Sequence, residues 1–228
     1  MADQQKEAPR LRLGSTAPDF AAETTKGSFK SFHEWQGKNW AMLFSHPEDF
    51  TPVCTTELGA MARLQPEFEK RNVTAIGLSA NTIDSHESWI KDIDDINDTS
   101  LSFPIIGDKD RQIAFLYDML DYQDTTNVDS KGMALTIRSV FFIDPAHKIR
   151  ARIEYPASTG RNASEILRVI DSLQLGDKHK IATPVNWKNG EDVIIHNSIK
   201  NDEAEKIFPG FRTVRPYLRY TEQPGAQP

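Results

Sequence analysis

Residues 40–64, WAMLFSHPEDFTPVCTTELGAMARL, predict a buried strand, a loop and an amphipathic helix in direct succession. The apolar run 40–45 is short and is bounded by polar residues, as expected for a buried strand. From Cys54 to Arg71, apolar residues recur every three or four positions, as on one face of a helix, and Pro66 is expected to kink it. The one cysteine of the chain is therefore predicted to lie in the first turn of a helix.

Strands and helices alternate on either side of this stretch. Strands are predicted at 73–79, 103–106, 136–144 and 149–155, and helices at 85–94, 111–120 and 162–175. The last two strands are expected to pair as an antiparallel hairpin, Ser85 to cap the helix that it begins, and Gly176 to end the last helix. This order predicts an α/β fold in which a mixed central sheet is flanked by helices.

Three segments are predicted along the chain: a polar leader at 1–11, a main domain at 12–176 and a C-terminal extension at 177–228. Within the extension the periodicity fades, leaving one strand at 193–195 and one short helix at 202–208. A segment this small is not expected to bury a core of its own, so it is expected to dock on the main domain or on a partner subunit.

Composition excludes several classes of function. A net charge of −6 does not favour nucleic acid or an anionic membrane, and the apolar runs are much shorter than the roughly 20 residues that span a bilayer. The first 14 residues lack the apolar stretch of a secretory signal and contain acids, which mitochondrial targeting peptides avoid. With a single cysteine no internal disulfide can form, as in a reducing compartment. The default prediction is a cytoplasmic protein.

The surroundings of Cys54 favour a reactive thiolate. Unpaired N–H groups and the positive end of the dipole face the first turn of a helix. Thr51 can turn its hydroxyl toward the sulfur or toward an oxygen bound beside it, while Pro47 stiffens the loop. Arg138, inside an otherwise apolar strand, is the leading candidate for a permanent cation. The alternatives are that Cys54 is a small buried apolar residue and that Arg138 faces outward at a sheet edge.

The stretch PEDFTPVCTTE resembles the P-x-x-x-T-x-x-C motif of the peroxiredoxins, with Pro47, Thr51 and Cys54 at its fixed positions. Arg138 in IRSVFFID corresponds to the active-site arginine of that family. The likeness runs from Leu13 to Tyr220. Two further stretches, PASTGRNASEILRVIDSLQL and ATPVNWKNGEDVII, are similar to the 1-Cys subfamily, also called peroxiredoxin six, within the AhpC/TSA family.

The resemblance implies a thioredoxin-like fold with a C-terminal extension, assembled as a homodimer, that reduces hydrogen peroxide and organic hydroperoxides. Cys54 would be the peroxidatic nucleophile, Thr51 and Arg138 its activators, and Pro47 its shield. His46, Glu57 and Arg161 match supporting positions of the active site. Taken alone, a histidine such as His46 is more often structural, and Glu57 is an ordinary first-turn acid that the helix dipole favours.

The resemblance also bears on how the cysteine is recycled. Without a second cysteine, the sulfenic acid of Cys54 needs an external reductant, and glutathione, thioredoxin and ascorbate all remain open. No cofactor is implied. A role as a redox sensor or as a holdase chaperone is the alternative, because a sensor would use the same thiolate.

Two other chemistries are not expected. Some relatives are described as phospholipases with a serine, histidine and aspartate, but only His33 matches here, since Asn39 and Ala146 occupy the other two positions. The six histidines show no metal-ligand spacing, so no metal site is expected.

Overall fold

The computed structural model describes residues 11–225 and divides into two compact units, Met1–Ala163 and Ser164–Pro228. The predicted leader at 1–11 lies outside the described residues except for Leu11. The elements of the first unit, in chain order, are β1 (Ala22–Thr24), β2 (Gly27–Phe29), α1 (Phe32–Gln36), β3 (Trp40–Ser45), α2 (Pro52–Arg63), α3 (Gln65–Lys70), β4 (Val73–Ser79), α4 (Ile83–Asn97), β5 (Ile105–Gly107), α5 (Gln112–Leu116), β6 (Arg138–Ile143) and β7 (Ile149–Tyr155). Those that follow are α6 (Ala163–Lys178), β8 (Ile181–Ala182), β9 (Val193–Ile195), α7 (Asn201–Ile207), β10 (Arg212–Arg215) and β11 (Leu218–Thr221).

The first unit is built on a seven-stranded sheet with the order β2-β1-β5-β4-β3-β6-β7. The strands β3, β4 and β5 are parallel, and the other pairs are antiparallel, including the predicted β6–β7 hairpin. Every residue of β3 and β6 is buried, so both faces of the sheet centre are covered. The predicted α/β fold with a mixed central sheet is therefore confirmed.

Some predicted helix limits differ from the structure. The helix predicted from Cys54 to Arg71 is two helices that meet at Leu64, with Pro66 in the first turn of α3, so a break replaces the predicted kink. The cap of α4 is Thr82 rather than Ser85, because the Thr82 side chain accepts a hydrogen bond from the backbone N–H of Ser85. The predicted helix 111–120 is limited to α5, since Asp118 has a φ of 53° soon after it.

The C-terminal unit has a core of its own, which the sequence did not lead us to expect. A four-stranded sheet with the order β10-β11-β9-β8 contributes to it, and Leu175 of α6 packs against it. The buried residues of this core are Ile181, Trp187, Val193, Ile195, Ile199, Ala204 and Phe208. The predicted end of α6 at Gly176 was wrong, because this glycine lacks the positive φ of a helix-ending residue and the helix continues to Lys178. The domain boundary at 176/177 stays a prediction.

Among the described residues, no helix combines the length and the apolar character that a membrane crossing needs.

The helix α2 lies close to α4 at Gly59. A Cβ atom at this position would lie 2.1 Å from Cγ of Asn97, whose amide donates hydrogen bonds to the backbone oxygens of Thr55 and Ile93 at 3.2 and 2.9 Å. The glycine therefore makes room for a side chain that ties α4 to α2.

We expect the effect of Gly59→Ala on the free energy of unfolding to change sign with the residue at position 97. In the wild-type background it should destabilise the protein by about 1–2 kcal/mol, because Asn97 must move. In an Asn97→Ala background the same substitution should stabilise by up to about 1 kcal/mol, through helix propensity. Urea unfolding of the four proteins measures both values, and equal effects in the two backgrounds would show that Asn97 does not set the requirement for glycine.

Candidate active site

Three separate parts of the chain meet at one end of β3 and β6. The strand β3 ends at Ser45 and is followed by the loop 46–51 and then α2. Because β6 runs antiparallel to β3 with Phe44 opposite Val140, the first residue of β6, Arg138, lies beside the end of β3. After β7, the loop 156–162 returns to the same place. This topology brings the helix start and two arginines together.

The sulfur of Cys54 is buried in the first turn of α2 and faces a guanidinium. The cysteine has no exposed surface, and the Nη1 of Arg138 donates to its Sγ at 3.3 Å. The other side of this guanidinium is fixed, because Nε and Nη2 donate to the backbone oxygen of Ala157 at 2.9 and 2.5 Å. The alternative of an outward-facing Arg138 is therefore excluded, as the residue is only 3% exposed.

Glu57, one turn after the cysteine, holds both arginines. Its Oε2 accepts from Nη1 of Arg138 at 2.7 Å and from Nη2 of Arg161 at 2.8 Å, while its Oε1 accepts from the backbone N–H of Arg161 at 2.7 Å. Arg161 also donates from Nη1 to the backbone oxygen of Ser45 at 2.8 Å. The arrangement fixes the end of β3, the start of α2 and the loop after β7 to one carboxylate.

The charges of this buried cluster do not cancel without the cysteine. Arg138 and Arg161 supply two positive charges and Glu57 one negative charge, and all three side chains are at most 5% exposed. A buried charge without a counter-charge is costly. The cluster therefore places one excess positive charge beside the sulfur of Cys54.

Burial alone would raise the pKa of Glu57, but the charges and hydrogen bonds of Arg161 and Arg138 outweigh it and hold that pKa below its ordinary value of 4.5. Below about pH 4.5, the unfolded chain therefore takes up a proton that the folded chain does not. The stability that Glu57 contributes is present above this pH and is lost as the pH falls through the lower folded-state pKa.

We therefore expect a shallower acid dependence in Glu57→Gln. The free energy of unfolding, measured in urea across the acid range, should fall less steeply with decreasing pH in this variant than in the wild type. Glu87→Gln, at an exposed position of α4, should keep the wild-type slope. Parallel profiles for Glu57→Gln and the wild type would contradict the depressed pKa.

Thr51 and Pro47 lie in the loop that precedes α2. Thr51 is the residue before the first turn of α2, and its hydroxyl donates to the backbone oxygen of Glu48 at 2.8 Å. With its hydrogen used in this way, the Thr51 oxygen keeps lone pairs that can accept a further hydrogen bond. Pro47 is buried in the same loop.

His46 takes part in a second buried cluster that the sequence analysis missed. Its Nε2 lies 2.8 Å from Oδ1 of Asp49, and Nδ1 of His86 lies 2.8 Å from the other oxygen, Oδ2. The ligand-capable atoms of the three residues lie within 4.8 Å of one another, although the spacing of the histidines along the chain gave no sign of it. His86 comes from α4, so only the fold brings it here.

Comparison with known protein families decides the assignment. Residues 13–152 match the model of the AhpC/TSA family, and residues 172–209 match that of the C-terminal domain of 1-Cys peroxiredoxin. This chain belongs to the AhpC/TSA family as a 1-Cys peroxiredoxin. It is 53% identical to peroxiredoxin PRX1, mitochondrial, of Saccharomyces cerevisiae over 96% of this chain and 84% of the yeast protein. It is 49% identical to human peroxiredoxin-6, with 94% and 98% covered.

Solved structures agree with this assignment. A cysteine-to-serine mutant of the peroxiredoxin 6 of Arenicola marina superposes with a TM-score of 0.90 at 43% identity, covering 95% of this chain and 100% of the other. A yeast mitochondrial 1-Cys peroxiredoxin, whose thiol is resolved via glutathione/thioredoxin systems, gives a TM-score of 0.83 at 50% identity, covering 93% and 100%. The predicted thioredoxin-like fold with a C-terminal extension is confirmed, and the chain is a thiol-dependent peroxidase that uses a single cysteine.

The positions that would carry phospholipase chemistry have other contacts in this peroxiredoxin. Asn39 donates from Nδ2 to the Thr74 hydroxyl at 3.2 Å, and His33 faces the backbone oxygen of Ala17 at 2.8 Å while its ring stacks on that of His147. Neither an asparagine at 39 nor an alanine at 146 offers a nucleophile or a base. These contacts give the acyl-hydrolase alternative no support.

Proposed function

We propose that Cys54 is the peroxidatic residue and that Arg138, Thr51 and Pro47 form the pocket in which it reacts. The observation that carries this proposal is the 3.3 Å contact between the Arg138 guanidinium and a buried sulfur, within a cluster that has one excess positive charge. A sulfur in such surroundings is a nucleophile rather than an inert apolar group.

The reaction balances with the groups present. The thiolate attacks one peroxide oxygen, an S–O bond forms, and the O–O bond breaks with its electron pair on the departing oxygen. That oxygen takes up a proton and leaves as water or an alcohol. The sulfur of Cys54 is oxidised to a sulfenic acid and the hydroperoxide is reduced.

Each neighbour has a proposed part in this step. Arg138 stabilises the negative charge that grows on the departing oxygen, which lowers the barrier more than it stabilises the ground state. Thr51, whose hydrogen is used by Glu48, accepts the peroxide O–H and so orients it. Pro47 shields the pocket from water, His46 lines it, and Glu57 and Arg161 hold Arg138 in place.

We propose that an external reductant completes the cycle, with the thiols glutathione and thioredoxin preferred and ascorbate, which is not a thiol, as the third candidate. The yeast relative that uses glutathione/thioredoxin systems supports this order. A thiol attacks the sulfenic sulfur, expelling water and forming a mixed disulfide, and a second thiol releases Cys54. Hydrogen peroxide and organic hydroperoxides are the proposed substrates.

Turnover separates this proposal from a sensor role. With excess hydroperoxide and each of the three reductants in turn, a peroxidase should consume many equivalents of peroxide per subunit with at least one of them. Consumption that stops after one equivalent with all three would favour the redox sensor. The holdase alternative would require activity of the hyperoxidised protein toward an unfolding client, and no contact in the described residues favours it.

We propose a homodimer on the ground of the family resemblance, and sedimentation equilibrium of the purified chain tests it. For the compartment we propose the cytosol, the default for a chain whose single cysteine cannot form an internal disulfide. The mitochondrion is the alternative, since the yeast relative is a mitochondrial protein. Fractionation of cells that express the chain with a C-terminal tag distinguishes the two.

A further inference from the structure

Asp49 connects the loop before α2 to two other parts of the chain and to the first residue of the loop itself. Its backbone N–H donates to the side-chain oxygen of Asn81 at 3.1 Å. Its Oδ1 lies 2.8 Å from Nε2 of His46, and its Oδ2 accepts from the Ser85 hydroxyl at 2.7 Å and faces Nδ1 of His86. The carboxylate is completely buried. The loop 46–51 is therefore closed onto its own first residue, His46, and connected to the segment after β4 and to the start of α4.

The protonation of this cluster follows from its contacts. Burial would raise the pKa of Asp49, but hydrogen bonds from His46 and His86 outweigh it and hold that pKa well below its usual range. Asp49 is thus a carboxylate that can only accept, so Nε2 of His46 carries the proton. The two nitrogens of His86 face two acceptors, because Nε2 lies 3.1 Å from the backbone oxygen of Ile106. His86 therefore lies between the carboxylate of Asp49 and the backbone of β5.

The loop that Asp49 fastens has a strained backbone. Phe50, between Asp49 and Thr51, has a φ of 55°, a conformation that residues with a bulky side chain rarely adopt. Phe50 is also 56% exposed, so burial of its own side chain does not enforce this conformation. Such a backbone persists where its surroundings fix it, and here the bonds of Asp49 and the hydrogen bond from the Thr51 hydroxyl to Glu48 lie on either side of Phe50.

We infer that Asp49 is a positioning residue for peroxide reduction, which holds the loop 46–51 so that Thr51 and Pro47 meet the peroxide beside Cys54. This inference rests on the proposed function, because it assigns the loop to the peroxide pocket. Within residues 11–225, no hydrogen bond or ion pair joins Asp49 to the sulfur of Cys54. Arg138, Glu57 and Arg161 are held by other bonds, so loss of Asp49 should affect the peroxide pocket and leave the charge on the sulfur unchanged.

The test compares two reactions of the same sulfur in Asp49→Asn. Rapid mixing with hydrogen peroxide, followed by tryptophan fluorescence, to which Trp89 beside His46 contributes, and by intact mass, measures the reaction that needs the pocket. Alkylation by iodoacetamide measures a reaction of the same thiolate that needs access to the sulfur but no oriented peroxide. We expect the peroxide rate to fall by roughly 10- to 100-fold, as for a misplaced reacting group, with the alkylation rate within about twofold of the wild type.

Three further variants serve as controls for this comparison. Asp84→Asn, an exposed acid in the first turn of α4, should leave both rates unchanged. Ser85→Ala removes one bond to Asp49 and should lower the peroxide rate less than Asp49→Asn does. Asp49→Glu keeps the carboxylate and should recover part of the loss. Urea unfolding identifies any variant that has lost its fold. If Asp49→Asn is one of them, the same two rates are compared in Ser85→Ala instead.

The outcomes are separable. A wild type that does not react with peroxide would overturn the proposed function itself. A reactive wild type together with a folded Asp49→Asn that reacts equally fast would overturn the role of Asp49 alone. Equal losses of the peroxide and alkylation rates in a folded variant would also overturn it, since they would assign Asp49 to the charge state of the sulfur or to general stability.

Discussion

Cys54→Ser is expected to abolish peroxide turnover and to leave the fold intact. Cys54 is the only cysteine in the chain, so no other thiol can replace it. A serine hydroxyl is not ionised at neutral pH and would need a strong base beside it, whereas the neighbours of this position are arginines and a carboxylate already paired with them. Peroxide consumption with the preferred reductant, followed continuously, measures the loss.

Because serine is close to cysteine in size, urea unfolding of Cys54→Ser should stay close to that of the wild type. The loss of turnover can then be assigned to chemistry. Any peroxide consumption retained by the purified variant above the uncatalysed rate would mean that another group carries the reaction, and the assignment of Cys54 would have to be withdrawn.

Arg138→Ala has the second largest expected effect. Removal of a donor aimed at charge that develops in the transition state typically costs roughly 100- to 1000-fold in rate. Here the loss should appear in the second-order rate constant for sulfenic acid formation, because the guanidinium faces the sulfur at 3.3 Å. Rapid mixing with hydrogen peroxide under single-turnover conditions measures it.

Two matched variants define the contribution of Arg138. Arg138→Lys keeps a cation but not the planar fork that reaches Cys54, Glu57 and Ala157 together, so its rate should fall between those of Arg138→Ala and the wild type. Arg152→Ala, on the neighbouring β7, removes an arginine that pairs with Asp118 instead and should keep the wild-type rate. A folded Arg138→Ala with a peroxide rate near the wild type would reject the role of this residue.

Local patterns in the sequence predicted much of the site. The strand, loop and helix of residues 40–64 placed Cys54 in a helical first turn, and a charged residue inside an apolar strand indicated Arg138. Both inferences depend on neighbours within a few positions, where periodicity and the cost of burying a charge act directly. Glu57 and Arg161 came only from the family resemblance, because nothing local distinguishes them from ordinary surface charges.

The remaining differences depend on contacts between distant parts of the chain. Asp49 and His86 are 37 positions apart and meet only because α4 packs beside the loop before α2. The continuation of α6 through Gly176 and the separate C-terminal core depend on the packing of Leu175 against strands that follow it. The cap at Thr82 could have been found from the sequence. Its side chain accepts a hydrogen bond from the backbone N–H three residues later, that of Ser85, as in ordinary helix caps.

The most direct test of this account is whether hydrogen peroxide oxidises the sulfur of Cys54. The fully reduced wild type should be mixed at neutral pH with one equivalent of hydrogen peroxide, without reductant, and its intact mass and tryptic peptides followed in time. We expect one oxygen atom to be added for each peroxide consumed, on the peptide that contains Cys54 and at a rate far above that of a free thiol. Peroxide consumed without modification of Cys54, or a Cys54 that reacts no faster than free cysteine, would contradict the account.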